Sequence, residues 1–234
     1  MRLVLLVIAL LVAQKVAAQP AGASPTVTQR PAAALDLPKD APAPARDIGP
    51  ARDGLPDGSS EWSILGVGGR THPHGVLDDV TGQAPATRLA LSAFQWSRVL
   101  TAPHGFRPLR GQLQMGFEIV PILHAVRDQA SVGFGASPLL LRWRFIGWRH
   151  VQPYVEGLSG ITRTDHALPE GTTRFNFSSK AGIGTWLAVS EHVGLLVGYR
   201  FDHVSNASRR RVNPGLNFHE IYVGLSWIRQ PPPN

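Results

Sequence analysis

The 234-residue chain contains no cysteine. That excludes a disulfide framework and a thiolate metal site, and it suits an oxidising envelope compartment. Long apolar runs are as scarce: beyond residue 18, no stretch approaches the roughly 20 apolar residues of a spanning helix. A place in a membrane would therefore require a closed barrel. Convincing helical periodicity is missing from Glu61 onward, as are a basic helix and an RNA-binding motif. The net charge of +7 accordingly points to an anionic membrane surface rich in lipid phosphates, and away from nucleic acid. Gly66, Gly68 and Gly69 form no nucleotide loop, because no helix follows them; they let a strand curve.

Two segments precede the folded part. Met1 to Ala18 reads as a secretory signal peptide, with Arg2, the run LVLLVIALLVA and then Val16-Ala17-Ala18; cleavage is expected after Ala18. Residues 19–59 are Pro, Ala, Asp and Gly with scattered charges. They offer too little apolar area to offset chain entropy, so a disordered or extended Pro/Ala-rich linker is expected. Residues 60–229 then hold eight strands separated by polar or Gly/Pro turns, and residues 230–234 form a short tail. The predicted strands are Trp62–Arg70, Arg88–Leu100, Leu109–Ala125, Ser131–Ile146, Val151–Thr164, Thr173–Val189, Val193–Ser205 and Phe218–Ile228. An even count in about 170 residues is what the smallest transmembrane barrels require.

The third, fourth and sixth strands alternate apolar with polar residues. Leu113, Met115, Phe117 and Ile119 alternate with Gln112, Gln114, Gly116 and Glu118. Leu139, Leu141, Trp143 and Phe145 alternate with Arg142 and Arg144; Phe175, Phe177, Ala181 and Ile183 with Asn176, Ser178, Lys180 and Gly182. A soluble barrel turns the apolar set inward and a membrane barrel turns it outward, so alternation alone does not choose. Three features favour the membrane. The signal peptide exports the chain. The polar set pairs Glu118, Glu156 and Asp202 against Arg142, Arg144, Lys180 and Arg200, enough to fill a narrow lumen with ion pairs. Trp62, Trp96, Trp143, Trp148, Trp186 and Trp227 fall mostly near strand ends, as interfacial girdles would. The second and fifth strands alternate poorly. The fold class expected is all-β: an eight-stranded antiparallel transmembrane β-barrel behind a signal peptide and linker.

The stretch Tyr199 to Trp227 carries the chemistry. Leu195, Val197, Tyr199, Phe201, His203 and Ser205 share one face of the seventh strand. Ile221, Val223, Leu225 and Trp227 share a face of the eighth, with Asn217 and His219 upstream on it. Residues two apart on a strand have Cα atoms roughly 6.6 Å apart, within reach of a hydrogen bond between imidazole and hydroxyl. A base beside a hydroxyl is the geometry of an activated nucleophile, yet this one lies on the apolar face.

His203-Val204-Ser205-Asn206-Ala207, followed by Asn213-Pro214-Gly215, resembles the signature of the lipid A 3-O-deacylase (acyloxyacyl hydrolase, PagL-like) outer-membrane family. More loosely, the similarity extends from Trp62 to Trp227. The resemblance implies a serine esterase, located in the outer membrane, that hydrolyses a primary, 3-O-linked acyl ester of lipid A in lipopolysaccharide. Its triad faces lipid, and it needs water but no metal or cofactor. Ser205 would be the nucleophile and His203 the base, with Asn206, Asn213 and Gly215 about the oxyanion hole. Arg209, Arg210 and Arg211 in the same loop are placed to meet lipid phosphates with fork geometry.

One position departs from the family pattern. The acid expected fourteen residues after the histidine is a glutamate; here it is Asn217. Asparagine can orient an imidazole, as in Cys-His-Asn enzymes, but cannot stabilise imidazolium by charge. Glu220 is the nearest carboxylate and would need a β-bulge to turn outward. The order of preference is Asn217, then Glu220, then no third member. A catalytically inactive barrel with a structural, adhesive or lipid-binding role is the alternative, and a soluble periplasmic lipid carrier comes third. Whether the barrel forms a homodimer is left open. His72-Pro73-His74 reads as a turn, because no third ligand is spaced to complete a metal site.

Overall fold

The computed structural model describes residues 54–71, 86–127, 129–148, 150–169, 172–211, 213 and 215–232. The signal peptide, most of the linker, His72, His74 and Pro214 lie outside the described residues. Eight strands follow in order: β1 Ser60–Thr71, β2 Arg88–Val99, β3 Gly111–Val126, β4 Ala130–Phe145, β5 Val151–Thr164, β6 Phe175–Ala188, β7 Val193–Ser205 and β8 Leu216–Arg229. Each pairs antiparallel with its sequence neighbour, and β1 pairs with β8 to close the barrel. Strand ends fall within two residues of those expected, because turn residues break the alternation where pairing stops.

Closure sets the tilt. A row of cross-strand partners leaves Thr71 through Phe218 and Asp202, passes round the wall and returns to β1 at Glu61, ten residues lower. Such a stagger across eight strands corresponds to a strand tilt of about 40°. The start of β1, the end of β8 and the turns near residues 100–110, 146–148 and 189–192 share one end. The loop Asn206–Gly215 lies at the other, the outer end.

The faces are those of a membrane barrel. Ile183 is 61% exposed and Ile221 68%, whereas Glu118 and Arg200 are wholly buried. Inside, ion pairs join neighbouring strands and also bridge strands that are not neighbours. Arg200 donates to Glu156 at 2.7 Å and Glu118 at 2.8 Å, Arg142 to Glu156 at 2.9 Å, and Lys180 to Glu118 at 3.2 Å. Arg144 bonds Glu61. Tyr154 and Tyr222 share a hydrogen bond of 2.7 Å, and Tyr222 donates to Glu156 at 3.0 Å. The Tyr222 ring has room only because Gly198 faces it: an added Cβ would lie 2.2 Å from the phenol oxygen.

Three expectations are adjusted by the packing. The polar set does not fill the lumen alone. Leu89, Leu91 and Ala93 of β2 point inward with Leu65, Val67 and Leu123, so the strand that alternates poorly in polarity still alternates in burial. Trp186 belongs to no girdle. It is buried in the lumen, donates to Ser226 Oγ at 2.7 Å and lies under Arg144, while Trp62, Trp148 and Trp227 remain outside. Residues 54–59, grouped with the linker by composition, pack on the barrel end: Leu55 is buried, and its N–H donates to Gln112 Oε1 at 2.8 Å.

Candidate active site

β7 and β8 run in unbroken register from Val193↔Trp227 to Val204↔Leu216. Because side chains alternate, Tyr199, Phe201, His203 and Ser205 face outward while Arg200, Asp202 and Val204 face the lumen. His203 stands directly opposite Asn217, and its Nδ1 is 2.7 Å from Asn217 Oδ1. An amide oxygen only accepts, so Nδ1 is the donor, and in the neutral ring Nε2 is left with the lone pair. Gly215 closes over the ring. Its φ is +67°, and a Cβ there would come within 3.0 Å of His203 Cε1.

Ser205 lies opposite Phe177 on β6. Phe177 meets Phe175 edge-on at 5.5 Å, and the Arg209 guanidinium stands 5.9 Å from the Phe177 ring centre. The hydroxyl is thus bordered by aromatic wall on one side and a loop cation above. Among the described residues Ser205 Oγ makes no hydrogen bond to His203. Such bonds are often long before substrate enters and tighten in the complex.

The loop after Ser205 is stapled. Ala207 and Ser208 have φ of 51° and 59°, and Arg209 N–H donates to Asn206 O at 3.1 Å. Two positive φ values bridged in this way mark a primed turn, usually the province of Gly, Asn or Asp. Asn206 N–H donates to Asn213 Oδ1 at 3.0 Å, so that backbone donor is engaged within the loop. Arg210 and Arg211 are exposed.

Glu220 is on the other side of the wall. No bulge interrupts β7–β8, so its carboxylate is buried in the lumen, 4.0 Å from Lys180 Nζ. It cannot reach His203, which removes it as the alternative acid.

Sequence reasoning left out a second outward polar pair: Tyr199 OH and His219 Nδ1 are 2.6 Å apart, with Phe201 edge-on to His219. The contact crosses the strands diagonally, so only the register reveals it. A cleft of about 190 Å³ at the outer mouth is lined by Thr87, Arg127, Ser131, His166 and others, none of them on β7 or β8. The site itself is a stretch of outer wall, suited to a substrate presented by the bilayer.

Residues 90–226 match the lipid A 3-O-deacylase (PagL) family, more than half of the chain. The chain belongs to the PagL family. No curated protein matches it in sequence. Among solved structures, the crystal structure of the outer membrane enzyme PagL is 16% identical, with a TM-score of 0.48, over 70% of this chain and 97% of that one. The attachment invasion locus protein Ail of Yersinia pestis is 10% identical, with a TM-score of 0.45, over 74% and 99%. As a closed barrel of the PagL family, the protein is an outer-membrane lipid A deacylase by class.

Proposed function

We propose that the protein hydrolyses the 3-O-linked primary acyl ester of lipid A, with Ser205 as nucleophile and His203 as general base. The observation that carries this is the 2.7 Å bond from His203 Nδ1 to Asn217 Oδ1, made on the lipid-facing wall next to Ser205. It fixes the tautomer that leaves Nε2 free to take a proton. An ester at the membrane surface meets Ser205 with its chain along Phe177 and Phe201, so no lipid need leave the bilayer.

Nε2 accepts the Ser205 proton as Oγ attacks the ester carbonyl. The tetrahedral intermediate collapses, the C–O bond to the sugar breaks, and Nε2 returns the proton to the leaving hydroxyl. Water then attacks the acyl-serine with the same base, freeing a fatty acid. The oxyanion is met by the Asn206 and Asn213 side chains and the backbone N–H of Gly215, donors that contribute about 3 kcal/mol when preorganised. Arg209, Arg210 and Arg211 take the phosphate end of the substrate.

The test is mass spectrometry of lipid A from cells with and without the protein. Loss of one primary chain, abolished by Ser205→Ala and by His203→Ala, is the expected result. Intact lipid A beside folded wild-type protein would defeat the proposal. A second reading, a barrel that keeps the scaffold without the activity, is favoured by Asn217 standing where the family pattern has a carboxylate.

A further inference from the structure

All five carboxylates of the barrel wall, Glu61, Glu118, Glu156, Asp202 and Glu220, are buried in the lumen. The outward face of the wall therefore has cations and no anion among the described residues. Two of those cations are placed directly against each other. Arg70 on β1 is the cross-strand partner of Arg88 on β2, and both are outward and exposed. Directly opposed residues have Cβ atoms about 5 Å apart, and like charges there destabilise a sheet. Neither guanidinium forms an ion pair with any described residue. Two guanidinium forks rooted at directly opposed positions, with no described carboxylate between them, form a clamp for a group of opposite charge.

Barrel geometry says where the clamp lies. Arg70 is also the partner of His219, and His219 is the partner of Phe201, so one outward row joins the four residues. That row climbs toward the outer end as it leaves β7, by about 3 Å per strand for a 40° tilt. Arg70 is thus about 6 Å and Arg88 about 9 Å above Phe201. His203 and Ser205, further along β7 itself, are about 5 Å and 10 Å above it. The arginine pair stands at the height of the proposed nucleophile and base, two and three strands from β7. Because the strands lean away from the pair as they rise, about 12–20 Å of wall lies between them.

We propose that Arg70 and Arg88 bind a phosphate of the lipid A headgroup while the acyl ester of the same molecule lies at Ser205. The inference rests on the deacylase reading for the identity of the lipid, but not for its test. The ligand is a phosphomonoester carried on a sugar at the membrane surface, held by two guanidinium forks that it also discharges. This is a second anchor, on the opposite side of Asn217 from Arg209. Together they orient a headgroup of more than one sugar.

The experiment uses the full-length Ser205→Ala protein in lipid discs, so binding is read without turnover. Disc-embedded lipid A, the same lipid dephosphorylated, and phosphatidylglycerol are compared by microscale thermophoresis. Phosphorylated lipid A should bind about tenfold tighter than the dephosphorylated form, the worth of one charge-assisted contact. The double variant Arg70→Gln/Arg88→Gln should narrow that gap to the share that Arg209, Arg210 and Arg211 supply. A gap as wide in the double variant as in the parent, or no gap in the parent, overturns the clamp. Phosphatidylglycerol binding as tightly as lipid A overturns the glycolipid assignment. Thermal unfolding adds a readout that a merely structural role would not move. Without lipid phosphate, Arg88→Gln should match or exceed its parent in stability, because repulsion is relieved. With lipid A present the parent should gain more than the variant. Failure of the hydrolysis proposal would show as intact lipid A in the turnover assay and leave this binding measurement standing.

Discussion

At the residue scale, the site turns on an amide standing where the family pattern has a carboxylate. Asn217 Oδ1 holds the His203 ring at 2.7 Å but carries no charge to stabilise the imidazolium of the transition state. A hydrogen bond to an ionised partner is about twice as strong as a neutral one, a difference near 1 kcal/mol. Asn217→Glu is therefore expected to raise kcat by about fivefold to tenfold, and Asn217→Leu to lower it through loss of the fixed tautomer. Both are read by release of fatty acid from lipid A in detergent. A Glu variant no faster than wild type would mean that orientation alone is what this position supplies. Gly215 offers a second check. Its φ of +67° disfavours any side chain, and a Cβ would press on His203 Cε1 at 3.0 Å. Gly215→Ala should reduce kcat at least tenfold by displacing the imidazole, as a small misplacement in an active site can. The barrel should remain folded by heat-modifiable gel mobility.

At the scale of elements, the β7–β8 loop keeps its shape against local preference. Ala207 and Ser208 both occupy the left-handed region, which costs a residue with a side chain about 1–2 kcal/mol. Ala207→Gly should stabilise the protein by roughly 0.5–1 kcal/mol after the added chain entropy of glycine is counted. Urea unfolding in lipid reports the shift. A loss of activity in that variant would indicate that the strained turn positions the oxyanion donors. The loop between β5 and β6 carries a pH-dependent tie. Asp165 accepts from Val132 N–H at 2.8 Å, which, with His166 beside it, holds its carboxyl below the usual range. A depressed folded value means that the tie contributes above the unfolded pKa and is lost as pH falls through the lower folded one. Hydrogen exchange at the Val132 amide, compared with neighbouring strand amides, should lose protection in that acid window and keep it at neutral pH.

At the scale of the whole molecule, the lumen is where the barrel is joined across its diameter. Arg200 alone bridges Glu118 on β3 and Glu156 on β5 from its own place on β7. Removing one partner of a buried pair leaves uncompensated charge and costs about 3–5 kcal/mol. Arg200→Met is expected to fall in that range by urea unfolding. Replacing an outward arginine such as Arg163 should cost little.

Much of this was legible from residue order. Period-two alternation in β3, β4 and β6 marks strands, because a strand sends successive side chains to opposite faces whatever the fold around it. The His203-x-Ser205 spacing puts the proposed base and nucleophile on one face by the same rule. What alternation leaves open is which face is inside, since the pattern reads identically either way. Closure into a barrel with Arg200, Glu118 and Glu156 buried, and Ile183 and Ile221 exposed, resolved it. Contacts between strands were likewise beyond local reading. Asn217 opposite His203, Glu220 behind the wall, Trp186 in the lumen and Arg70 against Arg88 all depend on register and stagger. Those are set by the packing of eight strands at once, and no single stretch of the chain contains them.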